Sequence, residues 1–189
     1  MEIKMNALKG LEIARKKILF RPDINSPIDP VTKKIVNDNR LKKNAVTLKY
    51  MLENGAAVAL IAHQGDTQDY QNLIPLMEHA QKLTALTGHP VHYIDDVCGP
   101  AAIEAVKKLP AGEAIILGNL RYLGEELSTF SNFVKLSPEE MQSVWHVRKL
   151  APLFDLYVND AFSAAHRGAP SMVAFPHVLP SAAGFQFFD

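Results

Sequence analysis

The chain has 189 residues, 48% of them hydrophobic and 21% charged, with 20 basic and 20 acidic side chains and a formal net charge of zero. That length suits one domain able to bury roughly 70% of its unfolded surface, and the balanced charge offers no general field for nucleic acid or acidic membranes. A lone cysteine, Cys98, excludes a disulfide framework and a cysteine-based zinc site and fits a reducing, cytoplasmic setting; residues 1–17 lack an apolar signal segment, and no run reaches the ~20 apolar residues that span a bilayer.

Short apolar runs alternate with segments of helical period. Lys17–Arg21 reads as a first strand. Asn39–Asn54 reads as a helix with Leu41, Ala45, Leu48 and Leu52 on one face and Gly55 as its stop. Ala56–Ala62 follows as a buried strand. Pro75 opens a helix to Thr87, closed by Gly88. Val91–Ile94 is a third strand, Pro100–Lys108 a third helix and Glu113–Leu117 a fourth strand. Ser137-Pro138-Glu139-Glu140 carries a serine cap, a proline at the first helical position and a capping-box glutamate, and predicts a helix to Leu150. Leu153–Val158 is a fifth strand, and Met172–Phe175 a short last one. The alternation implies an α/β fold with a mostly parallel sheet and right-handed crossovers. Its long loops, 22–38, 62–74, 119–137 and 159–171, then share the carboxyl edge of the sheet, where ligands bind in such folds.

The six arginines are distributed unlike the fourteen lysines. Lysines sit mainly on predicted helix faces and turns. Arg21 ends strand one, Arg40 begins the helix after the first loop, Arg121 follows strand four, and Arg167 lies in the loop after strand five. His63 ends strand two, and His166 adjoins Arg167. An arginine fork binds carboxylate or phosphate through two parallel charge-assisted hydrogen bonds, so this placement points to a site for a small, multiply anionic ligand. The other reading is four unrelated surface arginines. No Walker loop and no Gly-x-Gly-x-x-Gly is present, so no nucleotide phosphate loop is recognisable. His89 and His92 beside Asp95-Asp96 could be drawn as a metal site, but they fit a strand and its flanks as well. Ser163 near His166 has the look of a nucleophile and base, without a nucleophile elbow. Trp145 and Met141 read as ordinary helix residues.

Six blocks carry a family resemblance. Arg21-Pro-Asp-Ile-Asn-Ser-Pro27, Ala62-His-Gln-Gly65, Gly118-Asn-Leu-Arg-Tyr122, Tyr157-Val-Asn-Asp-Ala-Phe162, Ala165-His-Arg167 and Leu179-Pro-Ser-Ala-Ala-Gly184 stand in the order of phosphoglycerate kinase. The chain resembles the N-terminal domain of that family, with wording closest to the archaeal-type branch. The resemblance implies a Rossmann-like, three-layer α/β/α domain over 1–176 that binds 3-phosphoglycerate, with 177–189 opening the interdomain hinge. It also implies a second domain, absent from this chain, that binds Mg-ATP or Mg-ADP. On this reading no cofactor belongs to the present chain, which alone should be inactive; membranes and nucleic acids are not partners. Asp23 and Asn25 match the acceptor-binding loop, with Arg21 positioning it. Arg40 matches the catalytic arginine that stabilises charge on the transferring phosphoryl group. His63, Arg121 and Arg167 match ligands of the acceptor's phosphate and carboxylate, and His166 supports the loop.

Three positions depart from the family pattern. Asp66 stands where a phosphate-binding arginine is usual, Gly118 where glutamate is usual, and Pro22 where valine is usual. A carboxylate 4 Å from a phosphate charge costs about 4 kcal/mol at an effective dielectric of 20. Asp66 and Gly118 are therefore candidates for altering the substrate. One alternative is a related kinase domain for a different phosphorylated acceptor. Another is a non-catalytic anion-binding module.

Overall fold

A computed structural model describes residues 6–65, 70–164 and 167–188. Seven strands form one sheet: β1 (Asn6–Ala7), β2 (Lys17–Pro22), β3 (Ala57–Leu60), β4 (Val91–Tyr93), β5 (Ala114–Ile116), β6 (Leu156–Asp160) and β7 (Ser181–Ala183). Their order is β1-β7-β6-β2-β3-β5-β4, and every pairing is parallel. Alternate residues of the central strands serve opposite faces, as a pleated strand requires. Ile18, Phe20, Val58 and Leu60 pack with Leu41, Leu48 and Leu52 of α1 (Asn39–Glu53) and Leu83 of α2 (Met77–Thr87). Leu19, Ala57 and Ala59 pack on the other face with Val106 of α3 (Pro100–Lys108) and Leu150 of α5 (Trp145–Leu150). The result is the expected three-layer, Rossmann-like α/β/α arrangement. Among the described residues no helix is long and apolar enough to cross a membrane.

Several elements differ from the sequence reading. The capping box at Ser137 does form: Ser137 N donates to Glu140 Oε2 at 2.8 Å, and Glu140 N donates to Ser137 Oγ at 3.2 Å. It opens only a 3-10 turn, Glu140–Ser143, after which Val144 is extended and α5 starts afresh. Met141 of the turn, Val144 between the two, and His146, Val147 and Leu150 of α5 are all buried, so both pieces still face the core. The expected strand at Met172–Phe175 is instead covered by two single-turn helices, α6 (Pro170–Val173) and α7 (Phe175–Val178), each with proline in its first turn. The last strand is β7, three small residues paired with β6 and β1. The sheet thus runs past the expected boundary at 176, and Phe185 packs back against the core. The fifth strand begins at Leu156 rather than Leu153, because Ala151–Leu153 closes a 3-10 turn around Pro152. Strand β1 and the short helix α4 (Ser128–Phe133), inside the third long loop, had no counterpart in the sequence reading.

Candidate functional site

Because every strand is parallel, the loops after β2, β3, β5 and β6 gather at one edge. Arg21, His63, Arg121 and Arg167 line a single cavity there of about 340 Å³. Arg21 is buried (2% exposed), and each side of its guanidinium is held. Nε donates to Ser171 Oγ at 3.1 Å, Nη1 to the Pro22 carbonyl at 2.7 Å and Nη2 to His63 Nδ1 at 2.9 Å. Arginine has no acceptor and stays protonated, so His63 Nδ1 must accept, and the ring proton sits on Nε2. Burial above all, and then the charges of Arg21, Arg121, Arg167 and Arg40, hold the His63 pKa well below 6.5. His63 is therefore a neutral N–H donor in a cationic cavity.

Asp23 and Arg40 lie in a neighbouring cleft of about 530 Å³. Arg40 Nη1 reaches both carboxylate oxygens of Asp23, at 3.0 and 2.9 Å, and Ser163 Oγ also donates to Asp23. The Arg40 side chain is 49% exposed. The adjacent Asp160 is buried, accepting from Thr47 Oγ1 and from Gln186 N. A Cβ on Gly184 would meet Asp160 Oδ1 at 2.4 Å, so glycine there permits this close approach.

Not every candidate joins the cavity. Asn25 Oδ1 instead accepts from Gly65 N at 3.1 Å, tying two loops together. Gly118 is outside the cavity lining; a Cβ there would sit 3.1 Å from the backbone of Asp96 and Val97. Its missing side chain serves that contact. Asp66 and His166 lie outside the described residues. Asp96 caps α3, accepting from Gly99 N at 2.7 Å and Ala102 N at 3.0 Å. His89 Nδ1 is 3.1 Å from the Gly112 carbonyl, and His92 Nε2 is 3.7 Å from Glu113. Asp95 Oδ1 accepts from Tyr93 Oη at 2.6 Å, so all four residues have local partners, and no group of three or more metal-ligating side chains occurs among the described residues.

Sequence reasoning passed over three buried residues that organise the edge. Gln64 Oε1 accepts from Ser26 N and meets His79 Nε2, both at 2.9 Å, while Gln64 Nε2 donates to the Ser26 carbonyl. The Gln64 backbone pairs with the Asn119 amide, whose Oδ1 also accepts from Arg121 N. Gln64 thus joins the loops that carry Asp23, His63 and Arg121. Glu126 is the second and Ser171 the third: Glu126 accepts from Ser171 N, Ser171 Oγ and His146 Nε2, each at 2.7 Å. Burial raises the Glu126 pKa, but the His146 and Ser171 hydrogen bonds and the charge of Arg21 outweigh it and hold the carboxyl below its usual range. The only sequence signal for Gln64 was its place beside His63; Glu126 and Ser171 gave none.

Fold and cavity together define an α/β domain with a cationic cavity at the carboxyl edge of its sheet. The family model for phosphoglycerate kinase matches residues 8–188, and the chain belongs to that family. It is 42% identical over 183 residues to phosphoglycerate kinase of Sulfolobus acidocaldarius, covering 97% of this chain and 42% of that protein. To the enzyme of Methanothermobacter thermautotrophicus it is 39% identical over 184 residues, covering 97% and 43%. The crystal structure of phosphoglycerate kinase from Pyrococcus horikoshii OT3 superposes with a TM-score of 0.88 at 36% identity, over 97% of this chain and 43% of that one. The chain therefore spans less than half the length of the relatives it matches.

Proposed function

We propose that this chain is the acceptor-binding part of a phosphoglycerate kinase, which moves a phosphoryl group reversibly between 1,3-bisphosphoglycerate and ADP. The supporting observation is the convergence of Arg21, His63, Arg121 and Arg167 on one cavity at the strand ends. On this reading Arg121 and Arg167 take the phosphate of 3-phosphoglycerate through charge-assisted hydrogen bonds, His63 adds a neutral N–H, and Arg21 keeps the floor rigid. Asp23 orients the acceptor from the neighbouring cleft. Arg40, exposed beside it, is free to leave Asp23 and meet charge developing on the transferring phosphoryl group. The magnesium nucleotide, assigned to a second domain outside this chain, supplies that phosphoryl group and neutralises its charge. The segment after β7 leads toward that domain. The setting is cytoplasmic, with Cys98 buried and its thiol pushed up to about 12, chiefly by burial.

Calorimetric titration tests the reading: 3-phosphoglycerate binds and ATP does not, and Arg167→Ala weakens the binding about tenfold. Absence of 3-phosphoglycerate binding at millimolar concentration would sink it. Binding of another phosphorylated metabolite in its place would favour the altered-acceptor reading, which rests on Asp66.

A further inference from the structure

We infer that Glu126 is a positioning residue: acting through Ser171, it fixes the orientation of Arg21 and thereby the single ring tautomer that His63 presents to the cavity. The chain of donors has one direction. Ionised Glu126 is acceptor-only, so the Ser171 hydroxyl must spend its one proton on Glu126 Oε2. Its lone pairs then face Arg21 Nε, which donates to them. That bond, with the one to the Pro22 carbonyl, turns the guanidinium so that Nη2 meets His63 Nδ1. The ring proton is left on Nε2. Ser171 is itself immobile: its N–H bonds Glu126 and its carbonyl accepts from Tyr157 Oη at 2.7 Å. Glu126 is likewise pinned from behind by His146, and both are buried. Glu126 is the one carboxylate among the described lining residues, yet it turns its oxygens to these partners.

A second role competes with this one. A carboxylate beside a cationic cavity also weakens anion binding by plain Coulomb repulsion, and two neutral substitutions in the 189-residue chain separate the effects. Ser171→Ala removes the hydroxyl bridge while keeping the charge, the backbone bond to Glu126 and the Glu126–His146 pair. Expected are an unchanged fold by circular dichroism and a His63 ring that shifts from one tautomer to a mixture by nitrogen-15 NMR. Affinity for inorganic phosphate should fall about tenfold, the loss of alignment of one charge-assisted contact. Glu126→Gln, whose amide can donate to Ser171 and reverse the hydroxyl, should give the same NMR signature and also weaken phosphate binding. A folded Ser171→Ala chain that keeps the single Nε2–H tautomer overturns the proposal. So does Glu126→Gln binding phosphate more tightly with His63 unchanged, because Glu126 would then act only as a counter-charge. The role in binding rests on the proposed acceptor site, but the tautomer readout does not. If the wild type ignores 3-phosphoglycerate and the tautomer still responds, the acceptor reading fails and the positioning role stands.

Discussion

Two basic compartments sit side by side on the carboxyl edge, and they are built in opposite ways. In the cavity, Arg21 is buried, held at all three nitrogens and backed by Glu126 through Ser171. In the cleft, Arg40 is half exposed and meets its carboxylate, Asp23, directly. The buried arrangement spends its folding energy on holding geometry before any ligand arrives, which is the way to bind an anion with little reorganisation. The other is an ion pair whose arginine is half exposed, so an anion arriving from solvent can compete with Asp23 for it. On the proposed function, the buried arrangement grips the acceptor and the half-exposed one responds to the transferring group.

The largest expected effect lies in the buried compartment. Arg21→Ala leaves His63 Nδ1 and Ser171 Oγ without their donor and removes one of the positive charges that favour ionised Glu126. Loss of such a buried network costs about 4 kcal/mol, measured by urea unfolding, with phosphate binding lost as well. A cost below 1 kcal/mol would put Arg21 in the same class as Arg40 and dissolve the contrast.

Acid attacks the same compartment. Burial, chiefly, lowers the His79 pKa from 6.5 to about 4, and His63 is also held well below 6.5. The unfolded chain therefore binds these protons at a higher pH than the folded one does. Stability is full above about pH 6.5 and falls as pH drops toward 4. His79 alone accounts for roughly 3 kcal/mol over that window. Its loss loosens Gln64, which joins the loops of the cavity. Unfolding free energies between pH 7 and 4.5 check this: the slope should be shallower in His79→Gln, and an unchanged slope would show that His79 takes up its proton while folded.

The same contrast explains what could be read from the sequence. Strand–helix alternation revealed the sheet because buried parallel strands are apolar runs, and arginine placement revealed the cavity because their carboxyl ends share an edge. Period and run length failed where proline and local packing decide: Met172–Phe175 is as apolar as a strand but coils behind Pro170, and Ser181–Ala183 is a strand made of residues with little strand preference. Cavity against cleft was invisible, since Arg21 and Arg40 are the same residue type and only burial and partners part them. Glu126 and Ser171 were hidden for a related reason: Ser171 meets Arg21 across 150 positions of chain and Glu126 meets Ser171 across 45, through contacts that no local pattern encodes.

The smallest expected effect tests the other half of the contrast. Arg40→Ala removes an ion pair that is half exposed at the arginine and buried at Asp23, worth about 1 kcal/mol, and leaves Asp23 held by Ser163 and, through its backbone, by Asn44. Thermal unfolding should move by no more than about 3 °C, and 3-phosphoglycerate affinity by about threefold or less. If Arg40 meets the transferring phosphoryl group as proposed, the same substitution in an enzyme carrying the nucleotide part lowers kcat on the order of 10³-fold. Small losses in stability and binding beside a large loss in turnover would separate gripping from responding at adjacent arginines. If Arg40→Ala weakened acceptor binding as much as Arg167→Ala, cavity and cleft would be a single binding site, and the half-exposed pair with Asp23 would be part of the grip.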